Sequence, residues 1–417
     1  MLTRILRIKT CLLAALVGFC LYPPASHGEE PSLGIAIELF DPSGRAMERF
    51  HEALKSAEDG TGQAKAMFYG ASHVASDTYT GRLRRLLQER FGDAGHGMVL
   101  PAKPWRYYRH RDVLVEGTLT WWADWVGKTG GRHDSYFGIA GVSIASNSPD
   151  DYGSVATTID NPQGRFVSTF DIFYLKQPGG GSFDARVDGK LIRRIATDDL
   201  VFGTGYEVIR VQDGGHKLEV TPVGDGEVRL FGIAMDRDVP GIRLDALGVN
   251  GARASTHLSW NDEIYREHIQ RRDPDLLVIA YGTNESGDDD HPIEDYEENF
   301  RKVIVRAKEA APEASCLLIG PSDWPIKERR KYLPRPRTAQ IIEVQKRAAT
   351  DYGCAMFDMV EFMGGPLSMR KWVKADPPFA SKDHIHFTGR GYDRMADVLF
   401  QALLKGYPQD ANDGPSP

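Results

Sequence analysis

Met67-Phe68-Tyr69-Gly70-Ala71-Ser72-His73 decides the reading of this chain, together with Asp383-His384-Ile385-His386 near its other end. An apolar run leads into a glycine turn, and a serine stands where a helix would begin. In open α/β sheets, ligands bind outside the carboxyl ends of the strands, where such a serine would project. Its hydroxyl needs a base to take the proton before it can act as a nucleophile. The late Asp383-x-x-His386 offers that base with an orienting carboxylate already beside it.

Downstream of Ser72, residues 80–90 place Leu83, Leu86 and Leu87 on one face and close at Gly92, which predicts an amphipathic helix. Upstream, 47–56 has the pattern of an opening helix and 66–69 that of a core strand. Between 105 and 239 helical periodicity disappears. Short β-type runs at 137–143, 155–159, 166–175, 183–187, 206–211, 216–220 and 228–234 alternate with turns such as Pro178-Gly179-Gly180-Gly181 and Asp213-Gly214-Gly215. Strands at that spacing predict a β-sandwich or jelly roll. Beyond it, apolar strands at 242–247, 276–281, 316–320 and 355–359 alternate with helical patterns at 262–271, 338–352 and 392–404. Alternation of that kind implies a parallel sheet with helices on both faces. The all-β stretch is therefore an insertion.

The chain has 417 residues, more than one domain usually holds, and 41 % hydrophobic with 26 % charged residues excludes a disordered class. Arg4, Arg7 and Lys9, an apolar run at 11–22, Pro23, Pro24 and Ala25-Ser26-His27-Gly28 have the layout of a secretory signal peptide cleaved near Gly28; a retained anchor is the other reading. Losing 1–28 removes three basic residues and no acidic ones, so the formal charge goes from −7 to −10. Neither total suits nucleic acid or an anionic membrane as partner, and no integral membrane segment is expected after cleavage. The mature chain keeps Cys316 and Cys354, which either pair in an oxidising compartment or lie as buried thiols on neighbouring strands. No Cys/His spacing suggests a structural zinc.

Three glycine-containing turns follow predicted strands, at 70–73, 248–252 and 282–285. Acyl transfer needs donors aimed at a developing oxyanion. The backbone N–H of Ser72, that of Gly251 and the side-chain amide of Asn284 are the candidates, and a glycine at 251 leaves no Cβ between backbone and substrate. Singly, each has a plainer reading: a turn glycine, a helix-capping asparagine, a surface histidine at a capped helix start. Their occurrence in one order at strand ends favours a site.

The order Ser72, Gly251, Asn284, His386 resembles the signature blocks of the SGNH (GDSL) hydrolases. Gly282-Thr283-Asn284-Glu285 is similar to their third block, and Asp383-His384-Ile385-His386-Phe387-Thr388-x-x-Gly391-Tyr392 to the fifth. The resemblance covers 60–104 and 242–405. It implies a three-layer, flavodoxin-like parallel sheet with Ser72 as nucleophile, His386 as general base, Asp383 as its orienting partner, and Ser72 N–H, Gly251 and Asn284 as oxyanion hole. No metal or cofactor is implied. Ala71 stands where the family has aspartate before the serine, and Glu285 where aspartate often follows the asparagine. Val74, at the second glycine of a G-x-S-x-G elbow, argues against an α/β-hydrolase.

The insert also resembles the carbohydrate-binding-like module of secreted peptidoglycan O-acetylesterases. The runs Gly92-Asp93-Ala94-Gly95, Trp105-Arg106-Tyr107-Tyr108 and Asp245-Ala246-Leu247-Gly248-Val249-Asn250-Gly251-Ala252 are similar to theirs. The implied segments are a signal peptide (1–28), a first hydrolase part (29–104), the inserted β-sandwich (105–241), a second hydrolase part (242–407) and a disordered tail (408–417). Trp121, Trp122 and Trp125 are candidates for a sugar platform, although sandwich tryptophans more often sit in cores. The expected function is a periplasmic or secreted serine esterase acting on O-acetylated polysaccharide, with peptidoglycan the first choice. A polysaccharide O-acetyltransferase using the same triad, a catalytically weak glycan-binding protein and a general lipase are the alternatives.

Overall fold

The computed structural model describes residues 33–408, so the expected signal peptide and all but the first residue of the expected tail lie outside it. Helix α1 (Glu48–Glu58) leads into strand β1 (Gln63–Gly70). Along β1 the side chains alternate: Ala64, Ala66 and Phe68 enter one core, Met67 and Tyr69 another. Two-sided burial is the mark of a strand inside a parallel sheet. A short helix α2 (Ser72–Ala75) and the amphipathic α3 (Tyr79–Phe91) follow.

Antiparallel strands come next: β2 (Gly95–Val99), β3 (Val113–Gly117), β4 (Trp122–Trp125), β5 (Val142–Ser146), β6 (Gly153–Thr157), β7 (Val167–Lys176), β8 (Ser182–Val187), β9 (Lys190–Ala196), β10 (Gly203–Gly214), β11 (Lys217–Pro222) and β12 (Val228–Asp236). The α/β pattern resumes with β13 (Gly241–Gly248), α4 (Asp262–Arg272), β14 (Leu276–Ala280), α5 (Ile293–Ala310) and β15 (Ser315–Ile319). A small hairpin of β16 (Ile326–Glu328) and β17 (Lys331–Leu333) precedes α6 (Pro336–Tyr352) and β18 (Ala355–Phe357). Helices α7 (Met359–Met363), α8 (Ser368–Lys374) and α9 (Gly389–Leu403) complete the chain. No helix among the described residues is long and apolar enough to cross a membrane.

The parallel sheet has the order β13-β1-β14-β15-β18. Counting only its own strands along the chain, this is the flavodoxin-like order 2-1-3-4-5, and the switch point lies between β1 and β14. Helices α1, α3 and α9 cover one face through Phe50, Leu83 and Leu399. On the other, Ile269 of α4, Phe300 of α5 and Ile341 of α6 share a core with Met98, Phe173 and Phe231 of the antiparallel part. A second antiparallel sheet, β3-β6-β11-β8-β9, packs on the first through Phe170, Ile172, Phe183 and Leu218. The fold is therefore a three-layer α/β sheet with a β-sandwich let into it.

The antiparallel part begins before 105, because β2 pairs with β12 within the sandwich. It shares apolar core with the parallel-sheet part, and the described residues form one compact unit. The run expected as a strand at 137–143 is instead a turn followed by β5. Gly138 N–H donates to Val142 O and Gly141 N–H to Gly138 O, which uses the backbone groups a strand would need. Cys316 and Cys354 are disulfide-bonded across β15 and the start of β18, which decides between the two readings of these thiols.

Candidate active site

β1 ends at Gly70, and its last turn is held by backbone alone: Ala71 O accepts the N–H groups of Val74 at 3.1 Å and Ala75 at 2.9 Å. The side chain of Ala71 is buried in the apolar core, so the turn closes without the aspartate expected there. Ser72 is the first residue of α2, where a backbone N–H has no intrahelical partner. Gly248, at the end of β13, allows this helix to lie across the sheet: a Cβ there would stand 2.1 Å from Ala75 N.

His386 arrives from the loop before α9. Asp383 organises that loop with both oxygens. Oδ1 accepts the N–H of Ile385 at 2.9 Å and of His386 at 3.0 Å, while Oδ2 lies 2.8 Å from His386 Nδ1. An ionised carboxylate only accepts, so Nδ1 carries the proton and the Nε2 lone pair is left for the 2.8 Å hydrogen bond from Ser72 Oγ. Burial would raise the Asp383 carboxyl, but the bonds from His386 and the two backbone N–H groups hold it below its usual range. Ser72, His386 and Asp383 thus stand in one chain of hydrogen bonds.

His73, beside the serine, escaped sequence reasoning. It is buried, its Nδ1 lies 2.9 Å from Tyr392 Oη, and its ring is 5.6 Å from that of His386. Burial first, and the neighbouring His386 second, push its pKa down to about 3, so it packs as a neutral ring beside His386. The signal for it was its place next to Ser72, paired with the Tyr392 of the last block.

Gly251 has φ +76°, a left-handed conformation suited to glycine, and a Cβ there would meet nothing within 4 Å. No acceptor among the described residues takes its N–H. Its neighbour Asn250 lines the cleft with Ser72 and His386. Asn284 donates one amide hydrogen to Ala252 O at 2.8 Å, which ties the two candidate oxyanion loops together and leaves its second hydrogen for another acceptor. Glu285 strengthens that tie. Its buried carboxylate accepts Ala254 N–H at 2.8 Å and Gly282 N–H at 3.0 Å. Burial raises this carboxyl, against the lowering by those N–H groups and Arg253. The residue that departs from the family pattern is therefore the brace between the two loops.

Of the three tryptophans, Trp122 and Trp125 both have Lys128 over their rings, and Trp121 is set apart. Trp121 is buried, with its indole N–H on Tyr152 O at 3.0 Å, which corrects its place in an exposed platform. Trp122 is half exposed under Lys128, and Trp125 backs Trp105 edge-on at 6.0 Å. The aromatic wall next to Ser72 is made instead by Trp105, Tyr107 and Tyr108, in a cleft of ≈ 760 Å³ that also holds Arg109 and His386. The run at 105–108 was visible in the sequence, but its position against Ser72 was not. Among the described residues no group of three or more His, Cys, Asp or Glu could hold a metal ion.

Residues 224–394 match the model of the GDSL-like Lipase/Acylhydrolase family. That segment contains Gly251, Asn284, Asp383 and His386; Ser72 joins them through β1. No curated protein matches the chain. Among solved structures, a peptidoglycan O-acetylesterase is similar over 88 % of this chain and 99 % of its own, with a TM-score of 0.73 and 24 % identity. An acetyl xylan esterase (39 % and 81 % covered, TM-score 0.31, 18 % identity) and a lipase/acylhydrolase from Enterococcus faecalis (41 % and 80 %, 0.31, 20 %) also match. Residues 224–394 thus match a GDSL-like lipase/acylhydrolase domain, and the chain shares the fold of the O-acetylesterase structure.

Proposed function

We propose that this protein is an exported serine esterase that removes O-acetyl groups from a cell-envelope polysaccharide, with peptidoglycan as the first substrate. The observation that carries the reading is the continuous chain Ser72 Oγ, His386 Nε2, His386 Nδ1, Asp383 Oδ2, with both contacts at 2.8 Å. His386 takes the proton of Ser72 as Oγ attacks the acetyl carbonyl. The oxyanion is received by the N–H groups of Ser72 and Gly251 and the free amide hydrogen of Asn284. His386 then gives its proton to the leaving sugar oxygen, and water cleaves the acyl-enzyme to acetate.

Substrate choice is supported by likeness to a peptidoglycan O-acetylesterase along nearly all of that protein's chain, sandwich included. The aromatic wall suits a sugar ring, because aromatic side chains offer an apolar face with a polar edge. The side chains of His386 and Asp383 are 39 % and 46 % exposed, so water has access to the acyl-enzyme.

The test is acetate release from O-acetylated peptidoglycan by the chain without residues 1–28, beside Ser72→Ala. The variant is expected to lose about 10³-fold or more of kcat. Absence of acetate from the unsubstituted protein would sink the proposal. Export is checked separately by fractionating cells that express the full chain.

A further inference from the structure

Arg109 stands out among the arginines around Ser72. Of its neighbours, Arg84 is paired with Asp77, Arg85 with Asp112 and Arg111 with Asp393, while Arg106 lies over the Tyr107 ring and outside the cleft lining. Arg109 lines the cleft beside Ser72 and His386, and no carboxylate among the described residues comes within ion-pair distance of it. No aspartate or glutamate lines this cleft. Arg109 is nonetheless well held. Nε donates to Ser76 O at 3.1 Å and Nη2 to Thr78 Oγ1 at 2.9 Å, one turn beyond Ser72. Three of its five N–H groups stay free, enough for the two-pronged bonding that a carboxylate accepts.

The loop that carries it is anchored from below. Asp77, buried in an ion pair with Arg84, accepts Arg111 N–H at 2.6 Å, and Arg84 donates to Arg111 O at 3.1 Å. Anchoring of this kind lowers the ordering cost when the guanidinium meets a ligand. Next to it Tyr107, 79 % exposed, and Trp105 offer flat surface for a sugar ring.

We propose that Arg109 forms a carboxylate-binding subsite beside Ser72, so that the ester substrate is an acidic glycan with its carboxylate on the acetylated sugar or the adjoining one. This rests on the esterase reading above. The carboxylate could belong to a lactyl ether or to a uronic acid, and the chemistry at Arg109 is the same.

The experiment measures kcat and KM for acetate release from three substrates: peptide-free O-acetylated peptidoglycan strands, the same strands with carboxyl groups converted to methylamides, and an O-acetylated uronic-acid polysaccharide. The protein is expected to prefer the acidic strands over the amidated ones by about 10- to 100-fold in kcat/KM, mostly through KM. Arg109→Gln should bring that ratio close to one, while Arg109→Lys keeps a several-fold preference that falls with added salt. Turnover of the uronic-acid polymer tells which source of carboxylate is accepted. Equal rates on acidic and amidated strands, or a ratio unmoved in Arg109→Gln, would overturn the subsite while Ser72-dependent cleavage of the amidated strands leaves the esterase reading standing. An equal loss on both substrates in Arg109→Gln would assign Arg109 to supporting the Ser72 turn, and the subsite would fall. No acetate from any of the three substrates is the failure of the esterase reading itself.

Discussion

Asp383 uses each of its oxygens for a different purpose, one for the loop backbone and one for the imidazole. In Asp383→Asn the amide can present a donor to Nδ1 and reverse the tautomer, which removes the lone pair at Nε2. We expect kcat to fall about 10²- to 10⁴-fold with little change in KM, read by steady-state kinetics on 4-nitrophenyl acetate. Glu285 offers a different case. Each oxygen accepts one backbone N–H, so Glu285→Gln would set an amide N–H₂ against a backbone donor. The expected result is a stability loss of about 1–3 kcal/mol by urea unfolding, together with lower kcat as the loops of Asn284 and Gly251 loosen. Unchanged stability and rate would show that the two loops hold themselves. Residue identity alone suggested Ser72, Asp383 and His386, because their bonding rules follow from chemistry and spacing. It could not reveal Glu285, whose two partners come from different loops.

Among the elements, α2 depends on the close approach at Gly248, and the junction of sandwich and parallel sheet depends on a buried ionic cluster. Arg272 of α4 bonds Asp236 of β12 at 2.5 and 3.1 Å and Asp245 of β13 at 2.8 and 2.9 Å. Asp245 also accepts Met98 N–H of β2 at 2.8 Å. Burial opposes each charge, yet Arg243 and Arg272 hold Asp236 below its usual range, and the two aspartates keep Arg272 charged. Arg272→Met removes the only arginine bonded to Asp245 among the described residues and leaves Asp236 with Arg243 alone, and we expect a loss of about 3–5 kcal/mol in denaturant unfolding. Strands with clean alternation, such as β11, and two-sided apolar runs, such as β14, were legible in the sequence. β9 was not, because its exposed residues leave no burial pattern to read, and neither was β4, which is short. The apolar run at 137–143 misled because buried turns and strands share composition.

At the scale of the molecule, five buried histidines among the described residues link stability to pH. Burial is the first cause of lowering for each: His73, His96, His257 and His268 to about 3, and His110 to about 4. The unfolded chain binds these protons near pH 6.5 and the native chain refuses them until far lower. Stability is therefore fully present above about pH 6.5 and declines as pH falls toward 3, each histidine steepening the slope by about 1.4 kcal/mol per pH unit. Asp77 acts later. Its folded value is about 2, with Arg84 and His110 overcoming burial, so its share is lost between about pH 4 and 2. Thermal midpoints at pH 7.5, 6 and 5 should fall in that order; a flat series would contradict the burial of these rings.

By itself the sequence determined the alternation of strand and helix, the existence of an inserted β-part, and the candidate roles of Ser72, Asp383 and His386, since those rest on periodicity and on hydrogen bonds a few residues long. Tertiary structure decided the rest. Ser72 and His386 are 314 residues apart, and only the packing of the layers brings the loop before α9 against the carboxyl end of β1. The same packing chose Trp105 and Tyr107 over Trp121 for the cleft wall, joined Cys316 to Cys354, and left Arg109 facing the serine without a carboxylate. Contacts across hundreds of residues depend on how whole layers pack, and no local spacing encodes that.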